Sequence, residues 1–307
     1  MNQTYVDTVR LLLFVAPRVF ASGRLGLKGG TGLNAFIHDM PRLSIDIDAA
    51  YLDHAAPWEV AIAALGDELV RTKTELETQR LTVAIPANQE GEEVRLVVSD
   101  RAAQVKIEVN KVFRATLHPV APRSLVAAAE DLFTTSVTLP ALAAAELYGS
   151  KLVAAFDRHH PRDWFDILHL RHRDGLTSDV VGCFVAYLAG HSRPVHEILF
   201  PSVKPMQAIY EAGFAGMTRD DVGLVDLEGT RTTTLAELPR LLFGNQREFL
   251  LSLVRAEPRL ESMPFKHLRE LAAVRWKLQN LEALRLKNRR KFLNQHDDLA
   301  QRFAAID

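Results

Sequence analysis

The sequence is poor in cysteine. Cys183 is its one thiol in 307 residues, which excludes an internal disulfide framework and a cysteine-based zinc cluster. Its apolar setting, Val180-Val181-Gly182-Cys183-Phe184-Val185, predicts a buried, inert side chain. Net charge is almost absent: 37 Lys and Arg face 38 Asp and Glu, a formal charge of -1, so attraction to a polyanion must come from local clustering. Apolar runs are short, none approaching the roughly 18 residues of a membrane span. The patch Leu11-Leu12-Leu13-Phe14-Val15-Ala16 follows Asp7 and Arg10 in a helical pattern rather than heading a secretory signal, so a cytoplasmic location is the expectation. Repeats and low-complexity tracts are also missing. What is present, 48% hydrophobic and 24% charged residues, is the composition of a folded globular protein, long enough for two domains of about 100 to 200 residues each.

Residues 4–21 carry Val6, Val9, Leu12, Leu13, Ala16 and Val19 on one helical face. A short strand is predicted over Arg24–Lys28, a turn at Gly29-Gly30, and a helix capped by Thr31 and running to Phe36. After Pro41 the alternation predicts a strand with Ile45 and Ile47 inward and Ser44, Asp46 and Asp48 on the other face. A helix is expected over 57–75, then strands at Arg80–Ile85, Val94–Val98 and Gln104–Val112, the first two separated by the turn-prone Asn88-Gln89-Glu90-Gly91. In the last strand Val105, Ile107 and Val109 alternate with Lys106, Glu108 and Asn110. From Pro119 and Pro122 onward helical patterns dominate, which places a domain boundary near residue 120: a core domain over 1–120 and a helical domain over 121–307. Helices are predicted over Leu139–Asp157 and Arg162–Arg173, a capping box at Thr218-Arg219-Asp220-Asp221, a polar loop over Asp226–Thr233, and one or two long helices over 266–302. Between Lys266 and Lys291 nine Lys or Arg stand against Glu270 and Glu282.

The chemistry concentrates between Leu27 and Tyr51. A glycine pair opening a short helix lets backbone N–H groups approach a phosphate, and Lys28 and Thr31 add a cation and a hydroxyl there. Asp46 and Asp48, two apart on a strand, point to the same side and suit a divalent cation; Glu108 is available as a third strand carboxylate, with Asp100 as a rival. An isolated Asp-x-Asp is usually a solvated strand end and a Gly-Gly pair a simple tight turn, so the joint pattern carries the signal. Ser44 shares the face of Asp46, where a covalent phosphate would repel an incoming triphosphate. Farther on, Lys151 lies near the end of an apolar helix and is followed by Arg158, Arg162, Asp163 and Asp166. The bland alternatives there are an Arg162–Asp166 ion pair and a dipole-favouring Asp163. His159 and His160 read as a solvated corner. The skewed basic C-terminal helix favours a polyanion, RNA above all.

The combination Lys28-Gly29-Gly30-Thr31-x-Leu33, Arg42-x-Ser44-x-Asp46-Ile47-Asp48, Lys106-Ile107-Glu108 and Lys151 followed by Arg158-x-x-x-Arg162-Asp163-x-x-Asp166 resembles the AbiEii/AbiGii family of nucleotidyltransferase toxins. The motifs cover residues 28–166; Gly32 stands where many relatives have alanine. The resemblance implies an α+β fold, a polymerase-β-like minimal nucleotidyltransferase domain with a mixed sheet followed by a helical domain that completes a split active site. It implies the toxin of a type IV toxin–antitoxin system, using Mg²⁺ to move a nucleoside monophosphate from an NTP to RNA, with the tRNA 3′ end as the expected acceptor and an antitoxin as partner. By position, Asp46, Asp48 and Glu108 would hold metal. Lys28, Gly29, Gly30, Thr31, Ser44 and Arg162 would bind nucleotide, Lys151 would meet its phosphates, and Asp163 would be the other essential polar residue. Transfer to a protein or small molecule, or a silent nucleotide-binding module, are the competing readings.

Overall fold

The computed structural model describes residues 2–86, 93–111 and 113–306; the turn predicted at residues 88–91 lies outside them. Two compact units result: the first comprises Met1–Leu147 with Ala215–Asp221, the second Tyr148–Phe214 with Val222–Asp307.

The first unit is α+β. Its elements are α1 (Gln3–Val19), β1 (Leu25–Lys28), α2 (Gly29–Phe36), β2 (Asp46–Tyr51), α3 (Trp58–Thr78), β3 (Thr82–Ala84), β4 (Glu93–Ser99), β5 (Gln104–Asn110), β6 (Ala121–Ser124), α4 (Ala127–Phe133) and β7 (Thr138–Ala141). The strands form one mixed sheet in the order β3-β4-β5-β2-β1-β7-β6. The pairs β2–β5 and β1–β7 are parallel, and the other neighbours are antiparallel. Alternation in β5 does what its sequence predicts: Val105, Ile107 and Val109 are buried while Gln104 and Lys106 are exposed. With Ile47 and Ala49 of β2 and Leu12, Val15 and Ala16 of α1 they build the core of this unit, each fully buried Leu, Ile or Val contributing roughly 1.5–3 kcal/mol. Because strand side chains alternate, burying Ile47 and Ile107 obliges Asp46, Asp48 and Glu108 onto the opposite face.

The expected boundary near residue 120 falls inside this sheet. Sheet structure continues through β6 and β7, so Leu139–Ala141 belong to a strand and the following helix, α5 (Ala144–Arg158), begins later than predicted. These strands are short and contain Pro122 and Pro140, which hides them from a periodicity reading. Glu146 of α5, fully buried, accepts hydrogen bonds from the backbone N–H groups of Leu117 and His118 at 2.8 and 3.2 Å. Residues 215–221 return to the same unit: Leu43 N–H donates to Met217 O at 2.8 Å, Arg219 N–H to Pro41 O at 2.8 Å, and Arg42 bridges Thr218. The predicted capping box at Thr218 is therefore this bridge and not a helix start.

The second unit is helical. After the rest of α5 come α6 (Pro161–Arg173), α7 (Ser178–Ala189), α8 (Val195–Leu199), α9 (Gln207–Gly213), α10 (Leu224–Leu241), α11 (Gly244–Val254), α12 (Ala272–Lys287) and α13 (Arg289–Ala304). Phe156, Trp164, Phe165, Phe184 and Phe249 are fully buried in it, and Cys183 is buried as expected. The predicted loop over Asp226–Thr233 is helix. Asp226 closes the start of α10 by accepting from Gly223 N–H at 3.1 Å, and Thr230, Thr232, Thr233 and Thr234 return their hydroxyls to carbonyls four residues back. Among the described residues no helix is long and apolar enough to cross a membrane.

Candidate active site

In the first unit the sheet register aligns four charged residues side by side. Lys28 of β1 is opposite Asp48 of β2, Asp48 is opposite Glu108 of β5, and Glu108 is opposite Arg95 of β4. Registered residues on neighbouring strands, about 4.8 Å apart, present side chains to the same face. The row reads cation, carboxylate, carboxylate, cation. Two carboxylates about 5 Å apart repel by about 3 kcal/mol at an effective dielectric of about 20, so the inner pair calls for positive charge. Arg95, which sequence reasoning missed, supplies part of it through an ion pair with Glu108. Asp46 joins the same face two residues before Asp48, and Asp46, Asp48 and Glu108 are all half-buried. The rival third carboxylate, Asp100, is used elsewhere: it accepts from the N–H groups of Ala102 and Ala103, both at 2.7 Å, in the β4–β5 turn.

The glycine turn is seated on this row. Gly29 has φ +73°, open to glycine at little cost, and a Cβ added there would lie 1.9 Å from Asp48 Oδ2. At Gly30 an added Cβ would fall 2.7 Å from an Arg42 guanidinium nitrogen and 2.9 Å from Ser44 Oγ. The backbone of the turn thus lies within van der Waals reach of a carboxylate on one side and of a cation and a hydroxyl on the other. Arg42 is itself buried and donates to Leu43 O at 3.0 Å. Its place in the motif was legible, its burial against Gly30 was not. Thr31 does not cap α2, whose N-cap is Lys28. Its buried hydroxyl donates to the Asp46 carbonyl at 2.6 Å and fastens the helix start to the carboxylate strand. Asn34 adds a bond to Gly30 O at 3.0 Å.

The second unit contains the other predicted residues. Lys151 of α5 lies 3.0 Å from Asp163 and 3.1 Å from Asp166 of α6, one helical turn apart, and all three are buried. Arg158, the last residue of α5, forks onto Asp163 at 2.6 and 2.9 Å. Burial alone would push Asp163 up, but the Lys151 ammonium and the Arg158 guanidinium outweigh it and hold its carboxyl far below the usual range. Asp163 is therefore a fixed anion that orients two cations. Asp166, in the bland alternative the i,i+4 partner of Arg162, brings its carboxylate to Lys151. Arg162 contributes its backbone N–H to His160 Nδ1 at 3.2 Å.

The corner between α5 and α6 is not solvated. His159 is 1% exposed, has φ +53° and stacks on Trp164 at 6.2 Å between ring centroids. His160 caps α6. Burial, then the cations of Arg231 for His159 and of Arg162 for His160, press both imidazoles down to about 4. The basic C-terminal segment also needs one correction. Lys277 is 3% exposed and its Nζ donates to His191 O and Arg193 O at 3.0 and 2.6 Å. The other eight cations counted between 266 and 291 are exposed.

Comparison with known proteins gives two findings. Residues 11–280 match the model of the family described as nucleotidyl transferase AbiEii toxin, type IV toxin–antitoxin system. Among solved structures the chain is similar to MenT4, a nucleotidyltransferase toxin from Mycobacterium tuberculosis H37Rv, with 16% identity, a TM-score of 0.59 and coverage of 90% of this chain and 93% of that one. No curated protein matches the sequence. At that identity the structural likeness speaks for the fold alone.

Proposed function

The chain belongs to the nucleotidyl transferase AbiEii toxin family of type IV toxin–antitoxin systems, and on that premise we propose that it transfers a nucleoside monophosphate from an NTP to an RNA 3′ hydroxyl, with tRNA as the acceptor class. The observation that carries this reading is the charge row, in which Asp48 and Glu108 stand in register beside Asp46 while Gly29 presses its backbone on Asp48. An all-oxygen set of half-buried carboxylates on one sheet face fits Mg²⁺ and no soft metal. Bound there, Mg²⁺ would neutralise the triphosphate and stabilise the attacking and leaving oxygens. In the reaction the acceptor oxygen bonds to the α-phosphorus, the bond to pyrophosphate breaks, and the hydroxyl gives up its proton.

The residues divide the remaining work. Gly29, Gly30 and the N–H groups that open α2 receive phosphate oxygens, with Lys28, Arg42 and Ser44 bordering them. In the second unit Lys151, Arg158 and Arg162 act as phosphate-directed cations, and the buried Asp163 and Asp166 keep Lys151 in one orientation. RNA is favoured as acceptor by Arg285, Lys287, Arg289, Arg290 and Lys291, all exposed at the α12–α13 junction. An antitoxin protein completes the system.

Incubating the full chain with Mg²⁺, each labelled NTP in turn and total tRNA tests the proposal. Label should enter tRNA with at least one NTP, and no label with any NTP would sink it. Reversing the five junction charges should abolish RNA labelling; a transfer that survives the reversal would point to a small-molecule or protein acceptor.

A further inference from the structure

α5 ends in a way that a helix does not favour. Asp157 puts a negative charge in its last turn, against the helix dipole, and two residues later His159 adopts φ +53°, uncommon without glycine. Groups from outside the corner hold both in place. Arg193, in the loop between α7 and α8, pairs with Asp157 Oδ1, and its other terminal nitrogen lies 3.0 Å from Glu197. His191 of the same loop brings Nε2 to 3.6 Å from Asp157 Oδ2. Bonds from His191 and Arg193 draw the Asp157 carboxyl down to about 2 against the opposing effect of burial. Lys204 Nζ adds a contact of 3.4 Å to the Asp157 carbonyl.

The loop that grips Asp157 is itself suspended from α12. Lys277 donates to the carbonyls of His191 and Arg193, the two residues whose side chains reach Asp157. Burial presses the Lys277 amine down to about 8, and an ammonium buried against carbonyls is a costly way to tie a loop. Its cost is understandable if the loop must be exact in position. Asp157 and Arg158 are consecutive on a helix, about 100° apart in projection, so the carboxylate fixed by the loop and the guanidinium forked on Asp163 leave the same turn in different directions.

We propose that Asp157 and Lys277 are positioning residues for the Lys151–Arg158–Asp163 network: Lys277 fixes the 191–193 loop, the loop fixes Asp157, and Asp157 fixes the turn from which Arg158 grips Asp163. The proposal rests on the reading that this network serves the nucleotide phosphates.

Calorimetric titration of the full chain with each NTP and MgCl2, without acceptor, tests it on wild type, Asp157→Asn, Asp157→Glu and Lys277→Met, with the folded fraction taken from circular dichroism. Asp157→Asn and Lys277→Met should weaken NTP binding by about tenfold at unchanged stoichiometry, and Asp157→Glu, which keeps the charge, should recover most of it. Wild-type affinity in both variants would overturn the proposal. So would a falling stoichiometry at constant affinity, which reports only damage to the fold. If Lys277→Met does not fold, Asp157→Asn decides. A wild-type chain that binds NTP but labels no RNA would remove the acceptor reading and leave this proposal standing; one that binds no NTP would remove both.

Discussion

Gly29→Ala separates what the turn does for the fold from what it does for the site. Two backbone effects oppose each other at φ +73°. The left-handed conformation costs a residue with a Cβ roughly 1–2 kcal/mol, whereas the stiffer unfolded chain of alanine returns about 0.4–1 kcal/mol. The net backbone loss is about 1 kcal/mol, a fall in Tm of about 2–4 °C for a unit of this size, and at position 29 the clash with Asp48 adds to it. The site pays differently. The new Cβ would lie 1.9 Å from Oδ2, 2.7 Å from Cγ and 2.8 Å from Cβ of Asp48, so rotating the carboxylate cannot relieve the clash and the strand must yield as well. A displacement on the order of 1 Å at a reacting centre costs about 100-fold in rate. Gly23 is the matched control: it has the same φ of +73° and nothing within 4 Å of an added Cβ. Gly23→Ala should therefore show only the backbone part of the thermal shift, about 2–4 °C, with wild-type transfer. Thermal melts and NTP-labelling rates on both variants test the argument. Gly29→Ala active within about threefold of wild type, or Gly23→Ala equally impaired, would refute it.

Three further outcomes follow from the same geometry. Asp48→Asn should lower transfer by at least about 100-fold in the NTP-labelling assay, with little change in melting temperature in metal-free buffer, because it relieves the like-charge pair with Glu108 but also removes the opposite-charge pair with Lys28, each worth about 0.2–1 kcal/mol. Lys151→Met leaves Asp163 and Asp166 buried without their ammonium and should cost about 3–5 kcal/mol in urea unfolding, part of it recovered in the Lys151→Met, Asp163→Asn double variant. His159, held at about 4 against 6.5 in an unfolded chain, is neutral when folded; the unfolded state binds the extra proton between those values, so stability falls as pH drops from 6.5 toward 4. His159→Phe should flatten that slope, measured as urea midpoints at about pH 7, 5.5 and 4.5.

Where local pattern decides structure, the sequence was readable. The alternation of Val105 to Asn110 foretold both the core face and the place of Glu108 on the opposite one, and the spacing from Lys151 to Asp166 foretold a cation and two acids on successive helices. The mixed sheet and the helical second unit also agree with the reading. What escaped depends on tertiary placement. Nothing local says that Arg42 is buried against Gly30, that Arg95 sits in register with Glu108, or that Lys277 spends its charge on two carbonyls rather than on an exposed basic face. The strands β6 and β7 escaped for another reason: four residues with a proline are too short for a period of two to register. In Asp226–Thr233 polar residues that read as a loop are helical because threonine hydroxyls can bond back along their own helix.

The return of residues 215–221 to the first unit bears on how a toxin is born. Leu43 and Arg42 find their partners in Met217 and Thr218, so the strand leading to Ser44 and Asp46 is completed only by chain made much later. At about 5–20 residues per second of synthesis, roughly 4–15 seconds separate the emergence of Leu147 from that of Asp221. During that interval the nascent chain already carries Asp46, Asp48, Glu108 and the glycine turn of its first unit, yet lacks the segment that braces Arg42 beside Gly30. A ribosome building this protein therefore completes the first unit only after α6 to α9 of the helical unit have been made, and before α10 to α13.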